Sequence, residues 1–190
     1  CVAGGALALA VCNAAESTWI RPHYLAYFNP FSGGPANGWR HLVDSSLDWG
    51  QDLPGLATWL RQKARPGEEV YVSYSGSGDI AYEGIRAHEL AYVYNFDRPY
   101  RWFELEPGLY CIGASMLQNV YSGWRGPWTL EKERNLLALR TGLAHAPQPQ
   151  TAQEWRVHSQ RRYDLDKLRF VRLCNYLRLR RPDGVIGYSI

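Results

Sequence analysis

The chain has 190 residues, of which 46% are hydrophobic and 21% charged, values that indicate one globular domain with a full hydrophobic core. The formal net charge of +3, without a basic motif interleaved with stacking aromatics, argues against a nucleic-acid partner. The four cysteines have no metal-ligand spacing, so we expect no metal site in this chain. Aromatic residues make up 14%, and Trp and Tyr are typical of sugar-binding surfaces, membrane interfaces and ordinary cores.

Residues 1–15, CVAGGALALAVCNAA, carry no charge. They are fewer than the roughly 20 residues that span a bilayer. Three interpretations are open: the end of a transmembrane helix, a buried core helix, or the start of a lipoprotein acylated at Cys1. We expect the first. Residues 16–40 are rich in aromatics, Gly and Pro and are expected to connect this helix to the following domain.

The remainder, 41–190, is predicted to be a soluble α/β domain: a small, mostly parallel sheet with helices on both faces, preceded by the end of the transmembrane helix. The patterns predict strands at 40–46, 68–75, 89–96, 108–117 and 184–190, and helices beginning at Leu53 and covering 79–88, 129–144 and 164–179. Near 145–153 the chain reads as a Pro/Gln-rich loop.

The stretch HLVDSSLDWGQDL, residues 41–53, concentrates carboxylates, an indole and an amide where a predicted strand ends, which is where open α/β sheets place ligands. In one interpretation Asp48 and Gln51 form a capping box, or Asp52 caps the next helix. In a second, the loop binds sugar hydroxyls and a sugar face, and in a third, two carboxylates serve as acid and base in glycoside hydrolysis. We predict no catalytic residue. The candidate sugar-binding residues are Asp44, Asp48, Trp49, Gln51, Asp52, Asn29, Asn37 and Asn119.

The run Gly76-Ser77-Gly78 begins a G-x-G-x-x-A match after a predicted strand, and Asp97 follows about 20 residues later, which is the outline of a dinucleotide-binding unit. Asp79 opposes this interpretation because a carboxylate would compete with pyrophosphate for the same helix N-terminus. The alternative is a tight turn in which Asp79 caps a short helix.

The segment Pro22–Leu60, with its YFN, GGP, VDS and LDWGQDL elements, closely resembles the segment after the last transmembrane helix of bacterial membrane glycosyltransferases. These enzymes are similar to dolichyl-phosphate-mannose protein mannosyltransferases and use a polyprenyl-phosphate sugar as donor. The later pieces VYVSYSGSGDIAYEGI, PGLYCIGASMLQNVY and GVIGYSI also look like that family, in the same order. The resemblance is weak between 125 and 182, and Pro30 and Pro54 depart from the family pattern.

This resemblance implies a C-terminal domain on the extracytoplasmic (periplasmic) side of the cell membrane, beside a membrane-embedded catalytic core of the same polypeptide. The partner would be a lipid-linked sugar or a glycan acceptor. The family's catalytic acidic residues lie on a loop that this chain does not contain, so the domain would assist substrate binding or brace the core. No cofactor is expected in this chain, although a divalent metal in the missing core is compatible with the resemblance. The alternative is a freestanding soluble enzyme, either dinucleotide-dependent or a two-carboxylate glycoside hydrolase.

Overall fold

The computed structural model describes residues 2–90 and 106–190. Its helices and strands, in chain order, are α1 (Val2–Trp19), α2 (Pro35–Gly38), α3 (Leu53–Lys63), β1 (Val70–Ser73), β2 (His88–Glu89), β3 (Leu109–Ile112), α4 (Ala114–Leu117), α5 (Leu130–Ala144) and α6 (Ala152–Arg178). Single-turn 3-10 helices lie at Tyr24–Ala26, Pro30–Ser32 and Asp44–Ser46. The strand predicted at 89–96 lies outside the described residues beyond position 90.

The three strands form a parallel sheet in the order β2-β1-β3. Successive side chains of a strand point to opposite faces, so Val70 and Val72 join one apolar cluster while Tyr71 joins another. The first cluster contains side chains of α3 and the second contains side chains of α6. The predicted α/β class, with a parallel sheet and helices on both faces, is confirmed for the described residues.

Helix α3 follows directly from the spacing of its apolar residues. Leu53, Leu56 and Leu60 recur at intervals of three and four and are buried. Pro54 occupies the first turn, where the missing N–H has no intrahelical partner to lose. The helix ends just before Pro66, and β1 follows it into the same core.

Helices α5 and α6 pack together through a third apolar cluster that includes Leu136, Leu165 and Leu168. Thr129 caps α5, and Thr151 begins α6 with a complete capping box. This box explains why α6 starts twelve residues before the predicted position 164. The far half of α6 buries Phe170, Leu173 and Cys174 against the sheet.

A lysine fixes the loop before α5. Lys132 is buried, and its Nζ donates hydrogen bonds to four successive backbone carbonyls, of which those of Arg125 and Pro127 are the nearest, at 2.7 and 2.8 Å. Burial of a charged group is tolerated when it is fully hydrogen-bonded, and here loop carbonyls replace the water shell of the ammonium. The loop and the helix are therefore joined by one side chain.

Three predicted elements are wrong, and the strand predicted at 108–117 ends at Ile112, after which α4 begins. The strand at 40–46 is replaced by the 3-10 turn, the helix at 79–88 by a series of turns, and the strand at 184–190 by a hydrogen-bonded turn. Gly84 has φ +72°, a left-handed conformation that ends the helical turn in the segment 79–88. In the last segment, the amide of Ile186 donates to the carbonyl of Ile190 at 2.7 Å, so the chain folds back on itself.

Helix α1 stands apart from these clusters. Its side chains from Ala3 to Ala15 are all exposed, and Glu16 is the first charged residue of the chain. Among residues 2–90 and 106–190, no helix combines the length and hydropathy needed to cross a bilayer. The end of a transmembrane helix at 1–15 stays a prediction.

Candidate functional site

Most buried polar side chains of the described residues gather where β1 and β3 end. Open parallel sheets bind ligands at this carboxyl edge, because loops from neighbouring strands meet there. The residues concerned are Asp48, Asp52, Ser73, Ser75, Ser115, Asn119 and Ser189.

Three segments distant in sequence are joined at this edge. The backbone amide of Asp44 donates to Oγ of Ser115 at 2.6 Å, which fastens the loop 44–52 to α4. The amide of Ala114 donates to the carbonyl of Ser189 at 2.7 Å, which fastens the C-terminal turn to the same helix. The candidate site is therefore built from the loop, the β3–α4 junction and the chain's last residues.

Asp48 is the most deeply buried carboxylate of the site, with 1% of its surface exposed. Its Oδ1 accepts a hydrogen bond from the amide of Gly50 at 2.9 Å, whereas Oδ2 has no hydrogen-bond partner among the described residues. Burial raises the pKa of Asp48 to about 6, opposed by the Gly50 hydrogen bond and reinforced by the negative charge of Asp52. A side chain at Gly113 would crowd Oδ2, since an added Cβ would lie 3.1 Å away.

Asp52 was one of two predicted helix caps, but its side chain makes no capping hydrogen bond. Instead, Oδ2 accepts a hydrogen bond from Oγ of Ser189 at 2.6 Å, and Oδ1 lies 3.5 Å from Nδ1 of His23. Burial raises the pKa of Asp52, while Ser189 and His23 oppose that shift. The carboxylate packs directly against Gly187, where any Cβ would overlap it.

Trp49 and Gln51 shape the loop between these two carboxylates. The Trp49 indole N–H donates to the carbonyl of Ser45 at 3.0 Å, which leaves the ring half exposed. Gln51 accepts from the Trp49 amide at 2.7 Å and donates to the carbonyl of Leu47 at 2.9 Å. The amide that was predicted to bind sugar, or to close a capping box, is thus engaged within the loop.

Asp44 lies at the outer side of the loop, half buried. Its φ of +70° is a left-handed conformation that Asp tolerates better than most residues. The hydroxyl of Tyr121 donates to Oδ1 of Asp44, and the ring is 43% exposed. Trp49 and Tyr121 are therefore tethered to adjacent positions of the loop, 45 and 44, and both present aromatic surface to solvent. We call these two residues the aromatic ledge.

The three asparagines of the predicted site are not joined to the loop by any described contact. Asn29 accepts the amide of Ser32 at 3.0 Å, and Asn37 donates to the carbonyl of Gly33 at 3.0 Å, so both stabilise local turns. Asn119 is buried with φ +55°, and neither polar atom of its side chain has a hydrogen-bond partner among the described residues. Asn119 alone of the three lies among the buried polar groups.

The glycine motif has a packing explanation in this structure. Gly76 lies against the backbone of Trp49 and Gly50, where an added Cβ would come within 2.2 Å of main-chain atoms. Asp79 accepts two backbone amides at 2.7 and 3.1 Å, in a turn that no helix follows. The carboxylate accepts the hydrogen bonds of the amides that a pyrophosphate would need. Asp97, the predicted acidic partner, lies outside the described residues.

Sequence reasoning missed several members of the site, namely Ser115, Tyr121, Ser189 and His23. Ser115 was predicted to lie within the strand at 108–117, and it belongs to the site because β3 ends at Ile112 and α4 begins at Ala114. The other three carried no signal in the sequence, since their contacts with Asp44 and Asp52 span distant parts of the chain.

Among the described residues, no group of three or more His, Cys, Asp or Glu side chains is placed to hold a metal ion. Comparison with known proteins returned no matching family model, no matching curated protein and no matching solved structure.

Proposed function

We propose that the chain is the C-terminal extracytoplasmic domain of a membrane glycosyltransferase that takes its sugar from a polyprenyl-phosphate donor. The domain itself is non-catalytic and holds a glycan, acceptor or donor, close to the membrane-embedded core of the same polypeptide. The sequence resemblance over Pro22–Leu60 supports this proposal, and two features of the structure agree with it.

Helix α1 is the observation that carries the proposal. Its residues 3–15 are exposed on every side and uncharged. A helix that is apolar all round is normally covered, either by a protein core or by lipid. The described part of this chain offers it no such cover, and a neighbouring membrane domain or the bilayer would.

The aromatic ledge supports a sugar-holding task. Exposed aromatic rings stack on sugar faces, and the half-buried carboxylate of Asp44, which accepts the Tyr121 hydroxyl, is of the type that also accepts sugar hydroxyl groups. Asp48 and Asp52 do not fit the acid and base of a hydrolase, because both are at least 96% buried and closed to a substrate in this conformation. They fit a rigid support beneath the loop, which agrees with a binding task without catalysis.

The attachment to a membrane core is tested by separating membranes from soluble extract and blotting the native gene product with an antibody to this domain. We expect a band much heavier than 21.7 kDa that stays with the membranes. A band near 21.7 kDa in the soluble fraction would contradict the proposal, because no catalytic core would then be attached.

The sugar-holding task is tested in the full-length enzyme with Trp49→Ala and Tyr121→Ala. If the ledge holds the glycan, each substitution raises KM for that substrate while the domain remains folded. Trp155→Ala is the matched control, since this indole is 52% exposed on α6, and it should leave KM unchanged. Wild-type KM in both ledge variants would indicate that the domain only braces the core.

A further inference from the structure

The last residue of α1 and the segment that follows it expose an unusual amount of apolar surface. Phe31 is fully exposed, and Leu42 is 57% exposed. Isolated apolar residues on a surface are ordinary, whereas several within one short segment make it a candidate interaction surface. The set, which we call the apolar shelf, comprises Trp19, Tyr24, Leu25, Tyr27, Phe31 and Leu42.

The shelf is held in place by ordered turns. Asn29 caps the turn that carries Phe31, accepting the amide of Ser32 at 3.0 Å. His41 Nε2 lies 3.0 Å from the carbonyl oxygen of Ser32, which brings the backbone before Leu42 against the same turn. Phe31 and Leu42 are therefore presented to solvent by neighbouring, hydrogen-bonded backbone.

Between Glu16 and Asp44, the charged side chains of the shelf segment have one sign. From Ser17 to Val43 the sequence contains no Asp or Glu, and it contains Arg21 and Arg40, which are both exposed. Basic side chains beside exposed aromatics are typical of surfaces that lie on anionic bilayers, since each cation near such a surface contributes about 1 kcal/mol.

The shelf is also continuous with α1. The hydroxyl of Tyr27 donates to the carboxylate of Glu16, and Ile20 is buried at the end of the helix. An open cleft of about 590 Å³ is lined by Leu9 and Cys12 of α1 together with Tyr24 and Tyr27 of the shelf. A membrane or protein surface that covers α1 would therefore also contact the shelf.

We propose that the apolar shelf lies in the headgroup layer of an anionic lipid bilayer, with Phe31 and Leu42 inserted below the phosphates and Arg21 and Arg40 among them. The inference rests on the proposed function in so far as α1 leads into the membrane. The inference goes beyond the proposed function because it states how the folded domain is oriented: the segment that connects α1 to the domain faces the lipid.

The test uses the full chain with Cys1→Ser and Cys12→Ser, because Cys111 and Cys174 are buried and do not compete for a label. An environment-sensitive fluorophore on Phe31→Cys is mixed with vesicles of phosphatidylcholine and phosphatidylglycerol. We expect a blue shift and quenching by spin-labelled lipid. Labels on Leu7→Cys in α1 and on Leu179→Cys, which replaces a leucine that is 89% exposed, serve as comparisons.

The comparisons separate the two proposals. Quenching at position 7 without quenching at 31 would overturn the shelf proposal and leave the membrane attachment intact. Quenching at neither position would contradict both. Quenching at 179 equal to that at 31 would show unspecific adsorption and would also overturn the shelf proposal.

A second measurement uses unlabelled protein and vesicle co-sedimentation. Phe31→Ser combined with Leu42→Ser should weaken binding at least about tenfold, given the apolar area that the two side chains would remove from water. The matched control, Leu179→Ser with Val185→Ser, replaces two apolar residues of similar exposure and should bind as the parent does. Equal binding by the two double variants would overturn the proposal, and so would binding that does not increase with phosphatidylglycerol.

Discussion

The hydroxyl of Ser189 donates a hydrogen bond to the buried carboxylate of Asp52 at 2.6 Å, although the two residues are 137 positions apart. Through this contact the last residues of the chain close the carboxyl edge of the sheet. Asp52 also lies beside His23, so a single carboxylate joins the segment after α1, the start of α3 and the C-terminal turn. Residues that are far apart in the sequence thus belong to one site.

Removing this hydroxyl should destabilise the domain. We expect Ser189→Ala to lower the free energy of unfolding by about 1–3 kcal/mol, because a buried charged group loses a hydrogen bond that water cannot replace. Urea denaturation measures the change. Ser45→Ala is the control, since that side chain is exposed and should stay within about 0.5 kcal/mol of the parent. Equal stability of parent and Ser189→Ala would mean that the contact contributes nothing.

The raised pKa of Asp48 makes stability depend on pH. Its pKa is about 6 in the folded chain against an ordinary value of 3.8, so the folded state favours the protonated form. The stabilising contribution is full below about pH 4 and is lost as the pH rises through about 6. For this group we expect the free energy of unfolding to be about 1 kcal/mol higher at about pH 5 than at about pH 7.5.

Asp48→Asn isolates this contribution from those of other carboxyl groups. The amide has no charge to bury. The free energy of unfolding of the parent, relative to that of the variant, should therefore be higher at about pH 5 than at about pH 7.5. Urea denaturation at both pH values supplies the measurement. A difference independent of pH would show that Asp48 has an ordinary pKa in the folded chain.

Gly76→Ala distinguishes packing from cofactor binding. The added methyl group would collide with the backbone of Trp49 and Gly50 at a position where φ is +152°, so we expect a loss of several kcal/mol or a failure to fold. Thermal unfolding followed by circular dichroism measures it. Gly123→Ala has open space around it and should be nearly neutral. A stable Gly76→Ala variant that had lost binding of a dinucleotide would favour the enzyme alternative instead.

Lys132→Met should release the loop before α5. The methionine keeps the apolar stem but leaves four carbonyls without their donor, and we expect a loss of about 2 kcal/mol. Lys63→Met, at an exposed position in the last turn of α3, is the matched control. If both variants unfold at the same urea concentration as the parent, the carbonyl contacts do not stabilise the fold.

Local sequence patterns were sufficient to predict the helices and strands whose residue spacing is regular. Helix α3 has apolar residues at helical spacing, β1 has β-branched and aromatic residues, and α5 has leucines on or near one face, and all three form where the sequence predicts them. Asp44, Asp48, Trp49 and Asp52 were expected at the end of a strand at 40–46, which does not form, and their role in sugar binding stays a prediction.

Which of these side chains face solvent was decided by tertiary structure. Asp44 would continue a strand by local preference, yet its amide bonds to Ser115 and the chain turns instead. Asp48 is buried because the β3–α4 junction closes over it, at Gly113. The periodicity of a sequence indicates only the local conformation of a segment. Burial, pKa and exposure depend on contacts between segments distant in the chain, and these form only when the whole domain is folded.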